Sequence, residues 1–548
     1  MISAPTNRKG AIPLSNRTDL QERLGQYAAS GALPMHMPGH KRNMAAAPWL
    51  APLGGGMDIT EIEGFDDLHH AQSILRDEMD RAAALWGARR TFFLVNGSSC
   101  GLLAAIYALG SGDRPGLGGG KAIVARNCHK SVYYGLELCG LTPTWLRPDW
   151  CAPLGIWGSV SPAAVERALD ETPGARFVLL TSPTYDGVLS DIAAIADLCH
   201  KRGVPLIVDE AHGAHLGFGG FPDGAVRLGA DIVVHSAHKT LPSLTQTALL
   251  HLGGRLGLGG RPGLGGRLGL CGDRVDADAV ERALGVFETS SPSYLLLASL
   301  SGCVRFLERP DALAPWREGL AAFDREIDCL EHLHIPNHGN WAEESPHHRH
   351  TAAVRLACRL GRRWTVATGD QRPPLTRGVS GVFGWDPSKV LIFGRDGFTL
   401  MDALRQRFGI ELEMAQPHCA LALTGAGDSK ESLTRLARAL IALDGEWGGK
   451  CPPTSGPPPA FPPARMGPRE ALASPFEVLP LEGAAGRATA AGRICAQYLW
   501  VYPPGIPLAV PGEELTPALL EQLAALTRGG AELRASPRGE AGTVRVVR

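Results

Sequence analysis

One lysine in the central part of the chain has neighbours that suit a reactive amine. Lys239 lies in the run ADIVVHSAHKTLP, just after an apolar strand pattern and between His238 and Thr240. Because no Asp, Glu, Lys or Arg adjoins it, we expect a partly buried amine with a lowered pKa, the form that attacks an aldehyde. The pattern predicts a lysine that forms a Schiff base.

A carboxylate ends another strand pattern, earlier in the chain. The run VPLIVD ends at Asp209, and parallel strands bring their carboxyl ends to one edge of a sheet. An amine and an acid at that edge are typical of pyridoxal phosphate, whose aldehyde takes up a lysine and whose ring nitrogen stays protonated beside an anion. His129, in ARNCHKS, is predicted to stack on the ring, and His212 to orient the ring oxygen or the substrate carboxylate.

A phosphate site is predicted where small residues begin a helix. The run VNGSSCG follows the strand TFFLV and leads into the apolar helical run LLAAIYAL. Backbone N–H groups at a helix N-terminus suit a phosphate dianion, and the hydroxyls of Ser98 and Ser99 add further donors. Ser236 and His238, which flank the lysine, are additional phosphate candidates. Taken alone, a Gly-Ser helix start is more often an ordinary cap.

Two other kinds of chemistry are considered and set aside. VDEAH also spells a helicase-type box, but a nucleotide hydrolase of that class needs GxxxxGK[ST]. The nearest run, RPGLGGGKA, has Pro115 in place of the first glycine and Ala122 in place of Ser or Thr. The HHRH run at 347–350 fits a solvated loop better than a metal site, so no metal is assigned.

The elements that position these residues alternate along the chain. Between about 75 and 300, strand-length apolar runs (TFFLVN, KAIVAR, RFVLLTS, VPLIVDE, ADIVVHS) alternate with helical patterns such as SPAAVERALDE. This alternation predicts a mainly parallel sheet covered by helices. The segment TSPTYDG follows one of these strands, so Thr184, Tyr185 and Asp186 are expected to edge the same pocket.

Shifts of pattern and composition divide the chain into several parts. Gly-rich hexapeptides and a proline-rich spacer interrupt the α/β patterns. The predicted parts are an N-terminal arm (1–60), a cofactor-binding major domain (61–310) with a mobile glycine-rich insertion (253–270), a small α/β domain (311–446), a linker (447–468) and a C-terminal domain (469–548).

Bulk composition limits the kind of partner. The chain has 548 residues, 44% hydrophobic content and a net charge of −1, so no overall field attracts nucleic acid or an anionic membrane. Its 12 cysteines form no CxxC pair, its N-terminus lacks a signal-peptide core, and no apolar run approaches the roughly 20 residues of a membrane helix. We expect a cytoplasmic protein that acts on a small molecule.

Several long motifs occur in an order that resembles the Orn/Lys/Arg decarboxylase family. They are MPGHK, GFDDLHH, LVNGSSCG, RNCHKSVYYGL, TSPTYDGV, VDEAHGAHLGF, SAHKTLP and TSSPSYLLLASL. The likeness spans about 34–310 and resumes in DPSKVLIFGRDGFTLMDALRQRFGIELEMA and in GRICAQYLWVYPPGIPLAVPGEE. It is closest to the shorter members, which lack an N-terminal receiver-like domain.

The resemblance implies an α/β fold of the aspartate-aminotransferase-like type I, with a mainly parallel seven-stranded sheet. It implies pyridoxal 5'-phosphate bound to Lys239, with the other positions carried over from the family's motifs. These are Ser98, Ser99, Ser236 and His238 for the phosphate, His129 for stacking, and Asp209 for the ring nitrogen. A homodimer with sites between subunits is also implied, in which Thr289 and Ser290 reach the partner's phosphate. The chain departs from the family at Ala237, commonly Thr, and at Gln497, commonly acidic.

The implied reaction is decarboxylation of arginine, lysine or ornithine to an amine and carbon dioxide, a step of polyamine biosynthesis. Two alternatives stay open: an aminotransferase-like enzyme, which would clamp the substrate carboxylate with an arginine, and a catalytically silent cofactor-binding homologue. A basic substrate needs an acidic partner. The candidates are Glu61, Glu63, Asp66, Asp67 and Glu288.

Overall fold

The computed structural model describes residues 19–111, 119–254, 274–336, 338, 381–447, 461–501, 505–528 and 532–548. The predicted mobile insertion, apart from its first two glycines, lies outside these residues. So do the HHRH run and most of the predicted proline-rich linker.

Helices and strands alternate through the first half of the described chain. The helices are α1 (Leu20–Ala29), α2 (Ile74–Trp86), α3 (Gly97–Gly110), α4 (Lys130–Cys139), α5 (Pro162–Glu171), α6 (Ile192–Lys201), α7 (Ala237–Thr240), α8 (Ala277–Phe287), α9 (Tyr294–Glu308), α10 (Ala314–Glu326), α11 (Gly397–Phe408), α12 (Lys430–Glu446), α13 (Pro468–Ala473), α14 (Gly483–Ala490) and α15 (Pro517–Arg528). The strands are β1 (Arg90–Leu94), β2 (Lys121–Ala125), β3 (Thr142–Leu146), β4 (Trp150–Cys151), β5 (Ile156–Trp157), β6 (Val178–Thr181), β7 (Val188–Leu189), β8 (Leu206–Asp209), β9 (Ile232–His235), β10 (Ala248–Leu252), β11 (Gly384–Trp385), β12 (Lys389–Phe393), β13 (Met414–Gln416), β14 (Cys419–Leu423), β15 (Phe476–Pro480), β16 (Tyr498–Val501), β17 (Pro507–Ala509), β18 (Leu533–Ser536) and β19 (Thr543–Val547).

The central sheet has seven strands in the order β1-β10-β9-β8-β6-β2-β3. Strand β10 runs antiparallel to both of its neighbours, and the other pairings are parallel. Strands β1 and β9 therefore point the same way although β10 lies between them. The carboxyl ends of β1, β2, β6, β8 and β9 consequently meet at one edge of the sheet.

Both faces of this sheet are covered by helices, which explains its near-continuous apolar strands. Along β8, Ile207 packs into the core that holds α3, α4 and α8, whereas Val208 packs into the core on the α5 and α6 side. Because side chains alternate along a strand, Asp209 returns to the face of Ile207. The strand period thus aims this carboxylate toward α3 and α4.

A smaller antiparallel sheet, in the order β12-β14-β13, packs with α10, α11 and α12. Strand β11 pairs with β7, so the chain entering the small sheet is joined to the loop that follows β6. His215 and Asp386, both fully buried, are joined by a 3.0 Å contact between Nε2 and Oδ1 at the same junction. These contacts bring the start of β12 to the carboxyl edge of the large sheet.

The C-terminal part contains the sheet β17-β16-β18 and the pair β15–β19. Tyr498 and Trp500 of β16 belong to the core beneath α3 and α4, and the Tyr498 hydroxyl donates to Glu137 Oε2 at 2.9 Å. Among the described helices, none combines the length and the apolar composition that crossing a lipid bilayer requires.

Candidate active site

Lys239 lies at the carboxyl edge of the large sheet, as its position after a strand predicts. It belongs to α7, which follows β9 directly, and its Nζ is 2.9 Å from His212 Nε2 in the loop after β8. Burial lowers the pKa of the Lys239 amine, while Asp209 and Glu413 act to raise it. The structure therefore brings the predicted lysine and one predicted histidine into direct contact.

Asp209, the last residue of β8, is 2% exposed. Its Oδ1 accepts the Ala211 N–H at 3.2 Å. Burial raises the pKa of this carboxyl, although Lys239 and that N–H act in the opposite direction. A protonated ring nitrogen would supply the cationic donor that such a buried carboxylate requires.

His129 is the N-cap of α4, and its Nδ1 lies 2.9 Å from Ser131 Oγ. Burial lowers the pKa of His129 to about 4, and Lys239 and Lys130 add to this shift. The imidazole is therefore neutral at physiological pH. A neutral imidazole near Lys239 suits the predicted stacking role, since an imidazolium would repel a ring whose nitrogen is protonated.

The predicted phosphate residues meet where β1 and β9 end. The Ser236 hydroxyl donates to Ser98 Oγ at 2.7 Å, across the width of the intervening β10. Ser98 lies in the first turn of α3, a helix of 14 residues, and Ser99 beside it is exposed. Gly97 begins this helix with a φ of +76°, a conformation that glycine adopts without strain. Helix N–H groups and hydroxyls thus converge at one point.

The hydrogen bond of His238 limits how its ring could bind a phosphate. Its Nδ1 lies 2.8 Å from the Thr247 carbonyl, so Nδ1 carries the hydrogen and Nε2 is left as an acceptor. Burial lowers the pKa of His238, although the bond to Thr247 opposes this. His238 can therefore donate to a phosphate through Nε2 only when it is protonated.

Thr289 is held beside the start of α3. Its N–H donates to Asn96 Oδ1 at 3.1 Å, and its carbonyl accepts from His69 Nε2 at 2.8 Å. Ser290 is exposed next to it. Their predicted contact with a partner subunit's phosphate stays a prediction.

The acidic candidates for a basic substrate are mostly engaged elsewhere. Burial acts to raise the pKa of Asp66, but this is outweighed by four backbone N–H groups, which lower it. They belong to Asp67, Gln72, Ser73 and Leu75. Asp67 caps the 3-10 helix Leu68–His70. Glu288 is buried, accepts the Val95 N–H at 2.7 Å, and has a pKa raised to about 7 by burial. Glu63 is exposed, and Glu61 has one buried oxygen without a hydrogen-bond partner among the described residues.

Two residues of the site, Lys389 and Glu413, were not predicted from the sequence. A third, Tyr185, was predicted only to lie at the edge of the pocket. Lys389 at the start of β12 is fully buried, and its Nζ lies 2.7 Å from His212 Nδ1. Glu413, just before β13, accepts a hydrogen bond from the Tyr185 hydroxyl, and the Tyr185 ring lies edge-on to His212 at 5.0 Å. A strand that begins with a lysine, in DPSKVLI, is the signal that could have identified Lys389.

Asp186 and Thr184, the other predicted edge residues, lie in the same loop after β6. Burial raises the pKa of Asp186 to about 6, and Lys389 opposes this. Thr184 Oγ1 accepts the Val188 N–H at 3.0 Å, which closes the loop. No group of three or more potential metal ligands occurs in the part of the chain that the structure describes.

Comparisons with known proteins agree with this geometry. The family models described as Orn/Lys/Arg decarboxylase, major domain, and Orn/Lys/Arg decarboxylase, C-terminal domain, match residues 18–323 and 464–533. An arginine decarboxylase of Halalkalibacterium halodurans is 31% identical over 537 residues, which cover 95% of this chain and 96% of that protein. An arginine decarboxylase of Bacillus subtilis is 31% identical over 514 residues, covering 91% of this chain and 92% of that protein.

Solved structures show the same fold. The Francisella novicida lysine decarboxylase LdcF superposes with a TM-score of 0.71 at 17% identity, covering 97% of this chain and 82% of that one. The constitutive lysine decarboxylase of E. coli gives a TM-score of 0.69 at 20% identity, covering 96% of this chain and 82% of that one. The predicted type I α/β fold with its mainly parallel sheet is confirmed.

Proposed function

The chain belongs to the Orn/Lys/Arg decarboxylase family, and we propose that it decarboxylates arginine with pyridoxal phosphate held at Lys239. Decarboxylation of a basic amino acid is the family's activity. One observation carries the choice of site: Lys239, Asp209 and the N-terminus of α3 meet at the carboxyl edge of a single sheet.

The residues fit the cofactor by the chemistry of their donors. Ser98 lies at the N-terminus of α3, where a phosphate dianion is stabilised by N–H groups and by the helix dipole, and Ser236 contacts Ser98 at that point. Asp209 is a buried carboxylate that needs a cationic donor. Lys239 is a desolvated amine, and His129 is a neutral ring close to it.

When bound, pyridoxal phosphate supplies an aldehyde that takes up an amine and a ring that accepts the electrons of the broken bond. Asp209 would hold the proton on the ring nitrogen. The Nζ of Lys239 lies 2.9 Å from His212 Nε2. Either of these nitrogens can carry a proton to the substrate Cα after carbon dioxide has left.

Arginine is proposed as the substrate because four curated relatives at 30% identity or more are named arginine decarboxylases. Glu413 is the acid that we propose for the substrate's cationic side chain. Glu413 is exposed, it is near enough to Lys239 to affect the pKa of that amine, and its side chain accepts a hydrogen bond from Tyr185. The acids of the GFDDLHH segment are engaged by backbone groups instead.

We also propose a homodimer in which Thr289 and Ser290 approach the partner's phosphate. Several large apolar side chains of the N-terminal segment are exposed in the single chain, which supports an interface there. They are Leu33, Met35, Met37, Trp49 and Leu53. The cytoplasmic location and the role in polyamine formation are proposed with it, and sedimentation of the purified protein tests the dimer.

The decisive assay incubates the purified protein and added cofactor with L-arginine, L-lysine or L-ornithine in turn. Carbon dioxide and the matching amine are measured together. We expect agmatine from arginine with the highest kcat/KM. A preference for lysine or ornithine would overturn the proposal that arginine is the substrate. Formation of a 2-oxo acid without carbon dioxide would indicate an aminotransferase, and the absence of any product would indicate a silent homologue.

A second measurement tests the cofactor independently of turnover. Added pyridoxal phosphate should give a visible absorption band, and borohydride should then attach the cofactor irreversibly to Lys239. Peptide mass spectrometry locates the attachment. A protein that gains no band, or is labelled at a different lysine, would contradict the proposed site.

A further inference from the structure

Three side chains form a continuous hydrogen-bonded row through the site. Lys239 Nζ contacts His212 Nε2 at 2.9 Å, and His212 Nδ1 contacts Lys389 Nζ at 2.7 Å. The three residues come from α7, from the loop after β8 and from the start of β12. Both nitrogens of one imidazole are therefore occupied by amines of two different lysines.

The number of donors and acceptors on each group determines which nitrogen atoms of this row can carry a proton. A neutral imidazole has one N–H donor and one acceptor nitrogen, and an ammonium group donates only. Burial and the neighbouring Lys389 hold the pKa of His212 well below its usual value, so the ring is neutral. One lysine must then be an ammonium that donates to the ring, and the other must be a neutral amine that accepts from it.

The surrounding charges favour Lys389 as the ammonium. Burial acts to raise the pKa of Asp386, but contact with His215 outweighs this and lowers it. An ionised carboxylate therefore lies near Lys389. Three carboxyl groups, those of Asp386, Glu413 and Asp186, act to raise the pKa of Lys389, whereas two, those of Asp209 and Glu413, act in this way on Lys239. Burial lowers the pKa of Lys389 to about 8, which leaves this amine protonated at neutral pH.

Groups on every neighbouring segment face Lys389. Asp186 and the Tyr185 ring, whose centroid is 5.5 Å from Nζ, approach it from the loop after β6. Glu413 approaches from before β13, Asp386 from its own turn, and His212 and Lys239 from the large sheet. Three carboxyl groups thus surround one buried ammonium, and the amine of Lys239 lies on the other side of the His212 ring.

We propose that Lys389 is a positioning residue that fixes His212 as the Nε2–H tautomer and so presents Lys239 as a neutral amine. This inference rests on Lys239 as the proposed attachment residue. Lys389 donates to Nδ1, the hydrogen of the ring stays on Nε2, and that N–H donates to the lone pair of Lys239 Nζ. The amine is then ready for an aldehyde before any cofactor arrives.

The backbone at this point is built around the lysine stem. Gly187 has a φ of +93°, and a Cβ placed on it would lie 2.7 Å from Lys389 Cγ and 2.8 Å from its Cβ. The buried contact of His215 with Asp386 holds the same turn. Because Lys389 begins β12, the tautomer of His212 depends on the docking of the small sheet against the large one.

The first test reads the tautomer in the unaltered chain. The full-length apoprotein, with 15N in its histidine rings, is examined by NMR, and the His212 signals are assigned by their loss in His212→Gln. We expect the hydrogen on Nε2 and the lone pair on Nδ1 near pH 7. A hydrogen on Nδ1 would overturn the proposal, whether or not the cofactor binds.

The second test measures the pKa of the Lys239 amine from the pH dependence of its acetylation, followed by mass spectrometry of apoprotein peptides. In Lys389→Met we expect this pKa to rise by about one unit, so that acetylation at pH 7 slows about 10-fold. The same substitution made in a His212→Phe background should change it much less. An equal rise in both backgrounds would indicate simple charge repulsion and contradict a role through the histidine.

Two controls keep this test informative. Circular dichroism and thermal unfolding identify variants that fail to fold. If Lys389→Met is one of them, the NMR result on the unaltered chain decides whether the proposal holds. Lys201→Met, which removes a lysine from the end of α6, should leave acetylation of Lys239 unchanged. Acetylation does not involve pyridoxal phosphate, so a failure of the proposed cofactor would be seen separately.

Discussion

At the scale of single residues, burial determines the charge state of the groups around Lys239. It keeps His129 and His212 neutral, raises the pKa of the Asp209 carboxyl and shifts Lys239 toward its neutral form. These shifts all oppose ionisation in a desolvated site. A cofactor with a cationic ring nitrogen and an electrophilic carbon would complement them.

Replacing Asp209 with Ala should leave part of the cofactor binding intact and reduce kcat by about 10²–10³-fold, because a charge that stabilises the transition state is lost. Cofactor content is read by absorbance and turnover by release of carbon dioxide. Asp197→Ala, on the exposed side of α6, is the matched control and should behave like the unaltered protein. Near-normal turnover in Asp209→Ala would remove Asp209 from the reaction.

His129 predicts a dependence of apoprotein stability on pH. Its pKa is about 4 in the folded chain and about 6.5 as an ordinary histidine, so the unfolded chain takes up the proton first as the pH falls. The stabilisation is complete above pH 6.5 and is lost toward pH 4. Between pH 7 and pH 5 the unaltered protein should lose more of its free energy of unfolding than His129→Gln does, by up to about 2 kcal/mol. Urea unfolding at the two pH values measures the difference. Equal losses in both proteins would show that His129 is not buried as a neutral ring.

At the scale of elements, two helix starts create the site. Helix α3 begins directly after β1, and α7 begins directly after β9, so both point their N-termini to the carboxyl edge of the sheet. The antiparallel β10 lies between these two strands, yet the Ser236 and Ser98 hydroxyls meet at 2.7 Å. The site therefore depends on strand order as much as on the motifs.

The start of α3 can be tested against its other end. Ser98→Ala removes a hydroxyl from the proposed phosphate position and should weaken cofactor binding about 10–100-fold, the usual effect of a hydrogen bond to a charged group. Ser111→Ala, at the C-terminal end of α3, removes a hydroxyl that donates to the Tyr107 carbonyl and should leave the Kd unchanged. If both variants bind the cofactor equally, the phosphate does not lie at the N-terminus.

At the scale of the whole molecule, a buried ion pair joins the C-terminal part to the large sheet. Arg126, which follows β2, contacts Glu513 at 2.9 Å, and the two side chains are 1% and 2% exposed. The same guanidinium donates to the Pro507 carbonyl and to the Tyr133 hydroxyl, both at 2.7 Å. Because Arg126 lies three residues before His129, docking of the C-terminal part supports the site directly.

Removing one partner of this pair leaves a buried charge unpaired. Glu513→Ala should destabilise the docking of the C-terminal part by about 3–5 kcal/mol, seen as faster hydrogen exchange in β16. The double variant Arg126→Met with Glu513→Leu should recover much of this loss. Glu521→Ala breaks the exposed pair with Arg487 and should cost less than about 1 kcal/mol. A similar effect of Glu513→Ala and Glu521→Ala would show that the buried pair does not hold the interface.

The sequence by itself determined the family, the mainly parallel sheet and the placement of Lys239 and Asp209 at strand ends, because apolar period and local motifs are encoded over short stretches of chain. It also predicted Ser98 and Ser236 for one site, and the structure brings them together. Lys389, Glu413 and the pairing of Arg126 with Glu513 depended on tertiary structure alone. Each lies more than 100 residues from the group it meets, and a lone charged residue in the sequence does not reveal whether it is solvated or buried beside a distant partner.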